Sequence, residues 1–257
     1  MKIMRAIGIA FSMYSILPMP RAEWDAKETR FSLCFLPLVG AVIGGVNYLW
    51  YLLCHTLGVN GVLFAAVFTC APLLLTGGIH MDGFMDTVDA LGARQDREQT
   101  LAIMKDPHAG AFAILGYGVY RLLYFGFSYT LYHTGAVAAL CAGYVLSRAA
   151  AVCTAARLPN AREDGMLHAF TKDASGRATL CAGLAFALGA GGGMLLLAPS
   201  AGAGARVLCL FGLCWYVRLA QKKLGGVTGD TTGYFLQLFE LLLLMGACIG
   251  SAMGGLP

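Results

Sequence analysis

"FSLCFLPLVGAVIGGVNYLWYLLCHTL", residues 31–57, contains no Asp, Glu, Lys or Arg. A run of about 20 apolar residues is long enough to cross a bilayer as an α-helix. Further apolar runs occupy residues 61–75, 109–132, 136–156, 178–198, 207–220 and 234–253. The mean hydropathy of +0.68 is high for a soluble domain, and the runs lack the polar face that a soluble helix needs. The sequence therefore predicts an all-α, polytopic integral membrane protein: one domain over residues 1–257, with about seven transmembrane helices.

Other features of the sequence indicate which kinds of partner the protein binds. The N-terminal stretch "MKIMRAIGIAFSMYSILPMPR" combines Lys2 and Arg5 with an apolar stripe, which predicts a helix lying in the membrane interface. The nine cysteines form no CxxC pair and are expected to be small core residues, without metal or disulfide roles. A net charge of +4 suits basic loops beside a lipid bilayer and predicts no nucleic-acid partner. The sequence leaves open whether the protein forms a homo-oligomer.

Basic residues are distributed unevenly among the loops. Those near 56–60, 132–135 and 199–206 contain a single one, Arg206, whereas the N-terminal arm and the loops near 79–108, 157–177 and 218–233 contain nearly all the others. Lys and Arg stay on the cytoplasmic side of a membrane. With seven spans the two sets of loops alternate, which predicts the inner membrane, a cytoplasmic N-terminus and a cytoplasmic active face.

The unusual stretch is "GGIHMDGFMDTVDALG", residues 77–92, because it places three carboxylates in an apolar chain. Asp82, Asp86 and Asp89 fall within about 60° of one another on a helix, so they form one stripe. Clustered carboxylates repel unless cations lie between them, and oxygen ligands suit Mg²⁺ or Mn²⁺. We call these residues the aspartate stripe and predict that it binds metal. Small neighbours, among them Gly83 and Gly92, are expected to leave room for a substrate.

His80 lies on the opposite side of an ideal helix from the aspartate stripe. Two alternatives remain for it. It precedes the helix and so still faces the site, or it forms a hydrogen bond at the membrane interface.

Other polar groups fall in the same set of loops. "IMKDPHAGAF" contains Lys105, Asp106 and His108, and "GGVTGDTTGYFLQLFE" places Gly229 and Asp230 in a turn before the last span, with Glu240 further in. Backbone N–H groups in such turns bind phosphate oxygens. Glu240 within a span is either a site residue or the partner of a buried arginine, for which Arg121 and Arg148 are the candidates.

The loop "ARLPNAREDGMLHAFTKDASGR" adds Arg157, Arg162, Lys172 and Arg177. Anion binding and topology signalling are equally good interpretations of each one alone. Together they supply the positive charge that a polyphosphate or nucleotide needs. Carboxylates for metal, cations for phosphate and a Gly-rich turn on one face predict phosphoryl transfer at the membrane surface.

The three motifs also resemble those of a known family. "GGIHMDGFMDTVDALG" is similar to the signature GG-x-H-x-DG-x-x-DT-x-D of the cobalamin synthases, the adenosylcobinamide-GDP ribazoletransferases. "AIMKDPHAGAF" and "GGVTGDTTG" resemble the second and third motifs of that family, in the same order. A weaker similarity of motif links the aspartate stripe to the CDP-alcohol phosphotransferases.

The resemblance implies the last step in assembling the cobalamin nucleotide loop. Adenosylcobinamide-GDP reacts with α-ribazole or its 5′-phosphate, and the products are adenosylcobalamin, or its 5′-phosphate, and GMP. One or two Mg²⁺ ions would be held by the stripe, with Asp230 completing the shell or orienting ribazole. Asp89 or His80 would accept the hydroxyl proton. Lys105, Arg157 and Arg162 would balance the charge of the leaving GMP, and Asp106, His108, Gly229 and Glu240 would bind substrate.

Two other classes compete with this interpretation. Asp86 and Asp230 could form the pair of an intramembrane aspartyl protease, but Val-Thr-Gly precedes Asp230 where such proteases have GxGD. A transporter could use Glu240, Arg121 and Arg148, but transporters place most of their ionisable groups near mid-membrane.

Overall fold

A computed structural model describes residues 2–20, 29, 31–163, 167–168, 171 and 176–255. Within these residues the chain is helical and contains no β-strand; a single bridge pairs Asn160 with Val227. The α-helices are α1 (Lys2–Tyr14), α2 (Leu36–Leu57), α3 (Gly61–Thr76), α4 (Ile79–Gly92), α5 (Arg97–Ile103), α6 (Ala111–Tyr132), α7 (Val137–Arg157), α8 (Gly176–Leu197), α9 (Pro199–Leu219) and α10 (Gly229–Met253). A 3₁₀ turn, Leu33–Phe35, precedes α2, and a π turn, Ala220–Leu224, follows α9.

Six helical segments in the described part of the chain are long and apolar enough to cross a membrane, and the bent pair α3–α4 raises the number to as many as seven. The prediction of about seven spans is confirmed. The short α1 is apolar and ends beside α3, where the N–H of Ile16 donates to the carbonyl of Leu75 at 2.9 Å.

One predicted loop is wrong. Residues 199–206 were expected to connect two spans, but α9 begins at Pro199, directly after Ala198. The Ala/Gly-rich sequence is a helix-packing surface. A Cβ on Gly202 would lie 2.7 Å from the carbonyl oxygen of Met194, and Gly204 packs against the backbone of Gly246 and Gly250. In lipid, small residues of this kind let helices approach closely.

The bundle core is apolar, and a few of its polar side chains are hydrogen-bonded to one another. Asn47 of α2 donates to the hydroxyl of Tyr144 at 2.8 Å, and the hydroxyls of Tyr124 and Tyr144 lie 2.7 Å apart. Gly40 and Gly44 let α2 pack directly on the backbone of α7. Buried polar groups without water must find partners inside the protein, and these contacts fix how α2, α6 and α7 meet.

The connections that the structure describes fall at two ends of the bundle. At one end Arg97 of α5 donates to the carbonyl of Leu224 at 2.8 Å, and Ala161 donates to Val227 at 2.9 Å. At the other end Tyr132 donates to the carbonyl of Val59 at 2.9 Å. We call the first end, which carries α4, α5 and the loops after α7 and α9, the platform.

Candidate functional site

The aspartate helix α4 is turned sharply away from the span before it. Gly77 and Gly78 have φ angles of 63° and 82°, a left-handed conformation that costs glycine little. The axes of α3 and α4 are bent by 96° at this point. As a result α4 crosses the end of the bundle, with Asp82 exposed and Asp86 and Asp89 half-buried. The predicted stripe is present on one helical face.

The start of α10 brings a fourth carboxylate to α4. A Cβ on Gly83 would lie 2.7 Å from both the Cα and the carbonyl oxygen of Asp230. The side chain of Thr228 caps α10 by accepting from the N–H of Thr231 at 3.1 Å, and Asp230 lies in the first helical turn. The expectation that Asp230 occupies a turn before the helix is therefore wrong.

The small residues near the stripe do not have the predicted role of leaving room for a substrate. Gly83 contacts α10, and a Cβ on Gly92 would lie 2.5 Å from the ring of Phe112 on α6. Their small size permits close helix packing around α4 and leaves no room at these points for a substrate.

The carboxylates act on each other electrostatically. The pKa of Asp86 is raised from 3.8 to about 6, first by partial burial and then by the charges of Asp82, Asp230 and Asp89, while Arg162 opposes the rise. Four carboxylates therefore share one region of negative potential. A bound cation would relieve their repulsion.

The donor chemistry fits a hard divalent ion, since every candidate ligand is a carboxylate oxygen. Among the residues that the structure describes, no three Asp, Glu, His or Cys side chains already converge as ligands of one ion. The binding of one or two Mg²⁺ ions by Asp82, Asp86, Asp89 and Asp230 stays a prediction.

Arg162 is positioned beside Asp230 by a short backbone bridge. The N–H of Val227 donates to the carbonyl of Pro159 at 2.8 Å, and the N–H of Ala161 donates to Val227 at 2.9 Å. The guanidinium of Arg162 then lies 3.6 Å from the carboxylate of Asp230 and donates to the carbonyl of Leu101. A cation is thus fixed at the edge of the carboxylate cluster. Its binding of substrate phosphate stays a prediction.

Asp89 has a second connection, to α6. Its Oδ1 accepts from the backbone N–H of Ala113 at 3.3 Å, and its carboxylate packs against Gly110. The first N–H groups of a helix have no partner within the helix. Asp89 therefore both belongs to the stripe and satisfies the N-terminus of α6.

His80 is the second residue of α4, so the alternative that it precedes the helix is wrong. Its side chain is 5% exposed and stacks on Tyr14 with the ring centroids 5.9 Å apart. Neither ring nitrogen has a hydrogen-bond partner among the described residues. Burial, followed by the charge of Arg148, lowers the pKa of His80 to about 3. A neutral, buried imidazole on the far side of α4 is poorly placed as a proton acceptor.

The predicted group at residues 105–108 lies in the turn between α5 and α6. Asp106 accepts from the backbone N–H of His108 at 2.9 Å and pairs with its Nδ1 at 2.8 Å. These hydrogen bonds keep the pKa of Asp106 below its usual value. Both side chains face solvent, and Lys105 is exposed beside them.

Glu240 forms an ion pair within the bundle. It contacts Arg148 of α7, and the two residues are 2% and 1% exposed. Of the two candidate partners the structure selects Arg148; Arg121 donates instead to the carbonyl of Thr69 at 2.9 Å. Glu240 is about 15 Å along α10 from Asp230, at a rise of about 1.5 Å per residue. Its substrate-binding role stays a prediction.

The remaining predicted residues lie around the platform. Gly229, the first residue of α10, is exposed, with open space where a Cβ would lie. Arg157 ends α7 and is also exposed. Lys172 lies outside the described residues.

Arg97 was not among the predicted site residues. It donates to the carbonyls of Leu224 and Ala161 and so joins α5 to both platform loops. Its position after the helix cap Asp96 was the available signal.

These features define a membrane-embedded enzyme whose clustered carboxylates and fixed arginine lie at one end of a helical bundle. Comparison with known proteins gives the particular family. The chain belongs to the cobalamin-5-phosphate synthase family, whose model matches residues 6–248. As a member it is a transferase of cobalamin biosynthesis, which removes the protease and transporter interpretations.

Individual relatives agree with the family assignment. The chain is 39% identical over 242 residues to the adenosylcobinamide-GDP ribazoletransferase of Lachnoclostridium phytofermentans, covering 94% of this chain and 92% of the relative. It is 35% identical over 249 residues to the enzyme of the same name from Pseudomonas putida strain GB-1, covering 94% and 98%. No solved structure matches the chain.

Proposed function

We propose that the chain transfers the phosphocobinamide group of adenosylcobinamide-GDP to α-ribazole or α-ribazole 5′-phosphate, with release of GMP. The observation that supports this proposal best is the cluster of four carboxylates around Asp86, bordered by Arg162. With divalent cations bound, such a cluster would suit a substrate with a pyrophosphate group. The names of the relatives supply the substrate class.

In the proposed reaction a ribazole hydroxyl oxygen forms a bond to the phosphorus attached to cobinamide. The bond between that phosphorus and the oxygen of GMP breaks, so GMP leaves with the electron pair. The hydroxyl proton passes to a carboxylate, and we assign this role to Asp89 because it is half-exposed, whereas His80 is buried behind α4. Arg162 stabilises the negative charge that develops on the leaving GMP.

Asp82, Asp86 and Asp89 would hold one or two Mg²⁺ ions, with Asp230 completing the shell. Bound there, Mg²⁺ would neutralise phosphate charge and orient the two reacting oxygens. The active face would be cytoplasmic and the membrane the inner one, on the strength of the basic loops at the platform.

The test is GMP release from adenosylcobinamide-GDP and α-ribazole by purified protein in lipid vesicles. We expect EDTA to abolish turnover and Mg²⁺ to restore it. Asp82→Asn, Asp86→Asn and Asp230→Asn should each lower turnover by at least about 100-fold, and their effects should not add, since the residues act as one unit.

Glu98→Gln is the matched control, because it removes an exposed carboxylate of α5 outside the cluster. Full turnover in EDTA would contradict the metal assignment. Modest losses that multiply in a double variant would contradict a shared site.

A further inference from the structure

A large apolar crevice opens between α8 and α9, away from the carboxylate cluster. Its volume is about 710 Å³, within the range of about 300–1,000 Å³ of ligand sites. α7 and α10 form its floor, and the lining residues include Leu146, Leu184, Leu188, Leu210 and Phe239. Leu188 and Leu210 are 77% and 62% exposed, so the crevice is open toward the lipid. We call it the α8–α9 crevice.

Three exposed arginines lie at the platform ends of the helices that border this crevice, and one of them, Arg157, is a lining residue. Arg177 follows Gly176, where a Cβ would lie 3.8 Å from the carbonyl oxygen of Ala156, and Arg218 follows the lining residue Val217. Among the described residues none of these three arginines has an ion-pair partner, in contrast to Arg162 and Arg148.

The crevice is long enough to hold much of one acyl chain of a lipid. Arg206 lines its deeper end and is about 16 Å from Val217 along α9, at about 1.5 Å per residue. Among the described lining residues, the cations are Arg157 at the platform mouth and Arg206 at the far end, and the side chains between them are mostly apolar. An apolar channel of this kind suits one acyl chain whose headgroup stays at the interface.

We propose that the α8–α9 crevice binds an anionic phospholipid of the platform leaflet, with an acyl chain between α8 and α9 and the phosphate among Arg157, Arg177 and Arg218. Basic pockets between transmembrane helices bind anionic headgroups in this way. Their charge selects an anionic lipid over a zwitterionic one, because each cation adds attraction near the surface. The lipid fills a gap that the helices leave, and so joins α8 and α9.

The experiment measures thermal unfolding of the purified full-length protein in a neutral detergent. The added probes are dioleoyl phosphatidylglycerol, dioleoyl phosphatidylcholine, inorganic phosphate and GMP. We expect phosphatidylglycerol to raise the Tm by several degrees more than phosphatidylcholine with the same chains. The triple variant Arg157→Gln, Arg177→Gln and Arg218→Gln should need at least about tenfold more phosphatidylglycerol for the same shift.

Two further variants test whether the lipid effect depends on these three arginines and on this crevice. Arg94→Gln removes one exposed platform charge from the loop after α4 and should leave the lipid effect unchanged. Ala203→Phe fills the crevice from its lining and should reduce the effect of phosphatidylglycerol while leaving the arginines intact.

Several results would overturn the proposal. Equal Tm shifts with the two lipids would show that the crevice does not select lipids by charge. An unchanged lipid effect in the triple variant would show that the three arginines do not bind the headgroup. A shift produced equally by inorganic phosphate or GMP, and lost in the triple variant, would assign the arginines to a phosphate or nucleotide site. A change from dimer to monomer in Ala203→Phe would mean that a second copy of the chain occupies the crevice.

Discussion

Asp89 Oδ1 accepts a hydrogen bond from the backbone N–H of Ala113, 24 residues further along the chain, at 3.3 Å. One residue of the stripe therefore stabilises the start of a membrane span as well as facing the site. The two roles need different properties of the side chain. An oxygen acceptor is enough for the helix, whereas the proposed reaction needs the negative charge.

Substitutions at Asp89 should separate these roles. Asp89→Asn keeps an acceptor for Ala113 but loses the charge, so turnover should fall by at least about 100-fold while the Tm stays near that of the parent. Asp89→Ala should lose turnover equally and also lose about 1 kcal/mol of stability with the hydrogen bond. The measurements are GMP release and thermal unfolding. Equal stability of the two variants would show that the contact with Ala113 does not contribute.

The repulsion within the carboxylate cluster should cost stability when no metal is present. The pKa of Asp86 rises from 3.8 to about 6 on folding, so the folded state disfavours its ionised form. The resulting loss in the free energy of unfolding is absent below pH 4, grows between pH 4 and 6 and is complete above pH 6. Because the side chain is half-exposed, we expect on the order of 1 kcal/mol.

Asp86→Asn in EDTA should therefore have a higher Tm than the parent protein at pH 8, and the difference should vanish as the pH falls to 4. Mg²⁺ should raise the Tm of the parent more than that of the variant. Equal Tm values at pH 8 would mean that solvent already screens the cluster.

The contact of Gly83 with Asp230 should be required for activity. A Cβ at residue 83 would lie 2.7 Å from the Cα of Asp230, so Gly83→Ala should separate α4 from α10 and lower turnover by at least about tenfold. Gly118→Ala, in α6, is the matched control because nothing lies within 4 Å of its added Cβ. Normal turnover in Gly83→Ala would show that α4 and α10 can separate without harm.

The sidedness of the platform can be tested by labelling. Gln95 and Gln221 are both exposed, and the hydrogen bond from Arg97 to Leu224 places their loops at the same end. Single cysteines at these positions, in a variant lacking the native ones, should react only from the cytoplasm. His133→Cys, in an exposed position at the opposite end, should react only from outside. A reversed pattern would invert the assigned orientation.

Features that depend on side-chain chemistry along one helix could be predicted from the sequence. The apolar runs predicted the membrane spans, and the spacing of Asp82, Asp86 and Asp89 predicted that they form one stripe. The basic loops predicted which connections lie at the same end of the bundle. Features that depend on contacts between helices could not. Gly83 and Gly202 look like open or loop positions in sequence, but each is a point where a second backbone approaches.

Asp230 and Glu240 illustrate the same limit. The Gly/Thr-rich sequence before Asp230 suggested a turn, whereas the cap at Thr228 starts the helix earlier. For Glu240, the sequence offered two arginines, and only the crossing of α7 and α10 distinguished Arg148 from Arg121.

The ion pair between Arg148 and Glu240 also constrains how the protein is made. Arg148 lies near the middle of α7, and its partner is synthesised 92 residues later. At about 5–20 residues per second the ribosome needs about 5–20 s to produce that partner. During this interval an unpaired arginine in a membrane helix costs about 2.5–3.5 kcal/mol on insertion scales. The final helix therefore completes biogenesis, and a chain truncated before α10 would leave a defective insertion product instead of a smaller bundle.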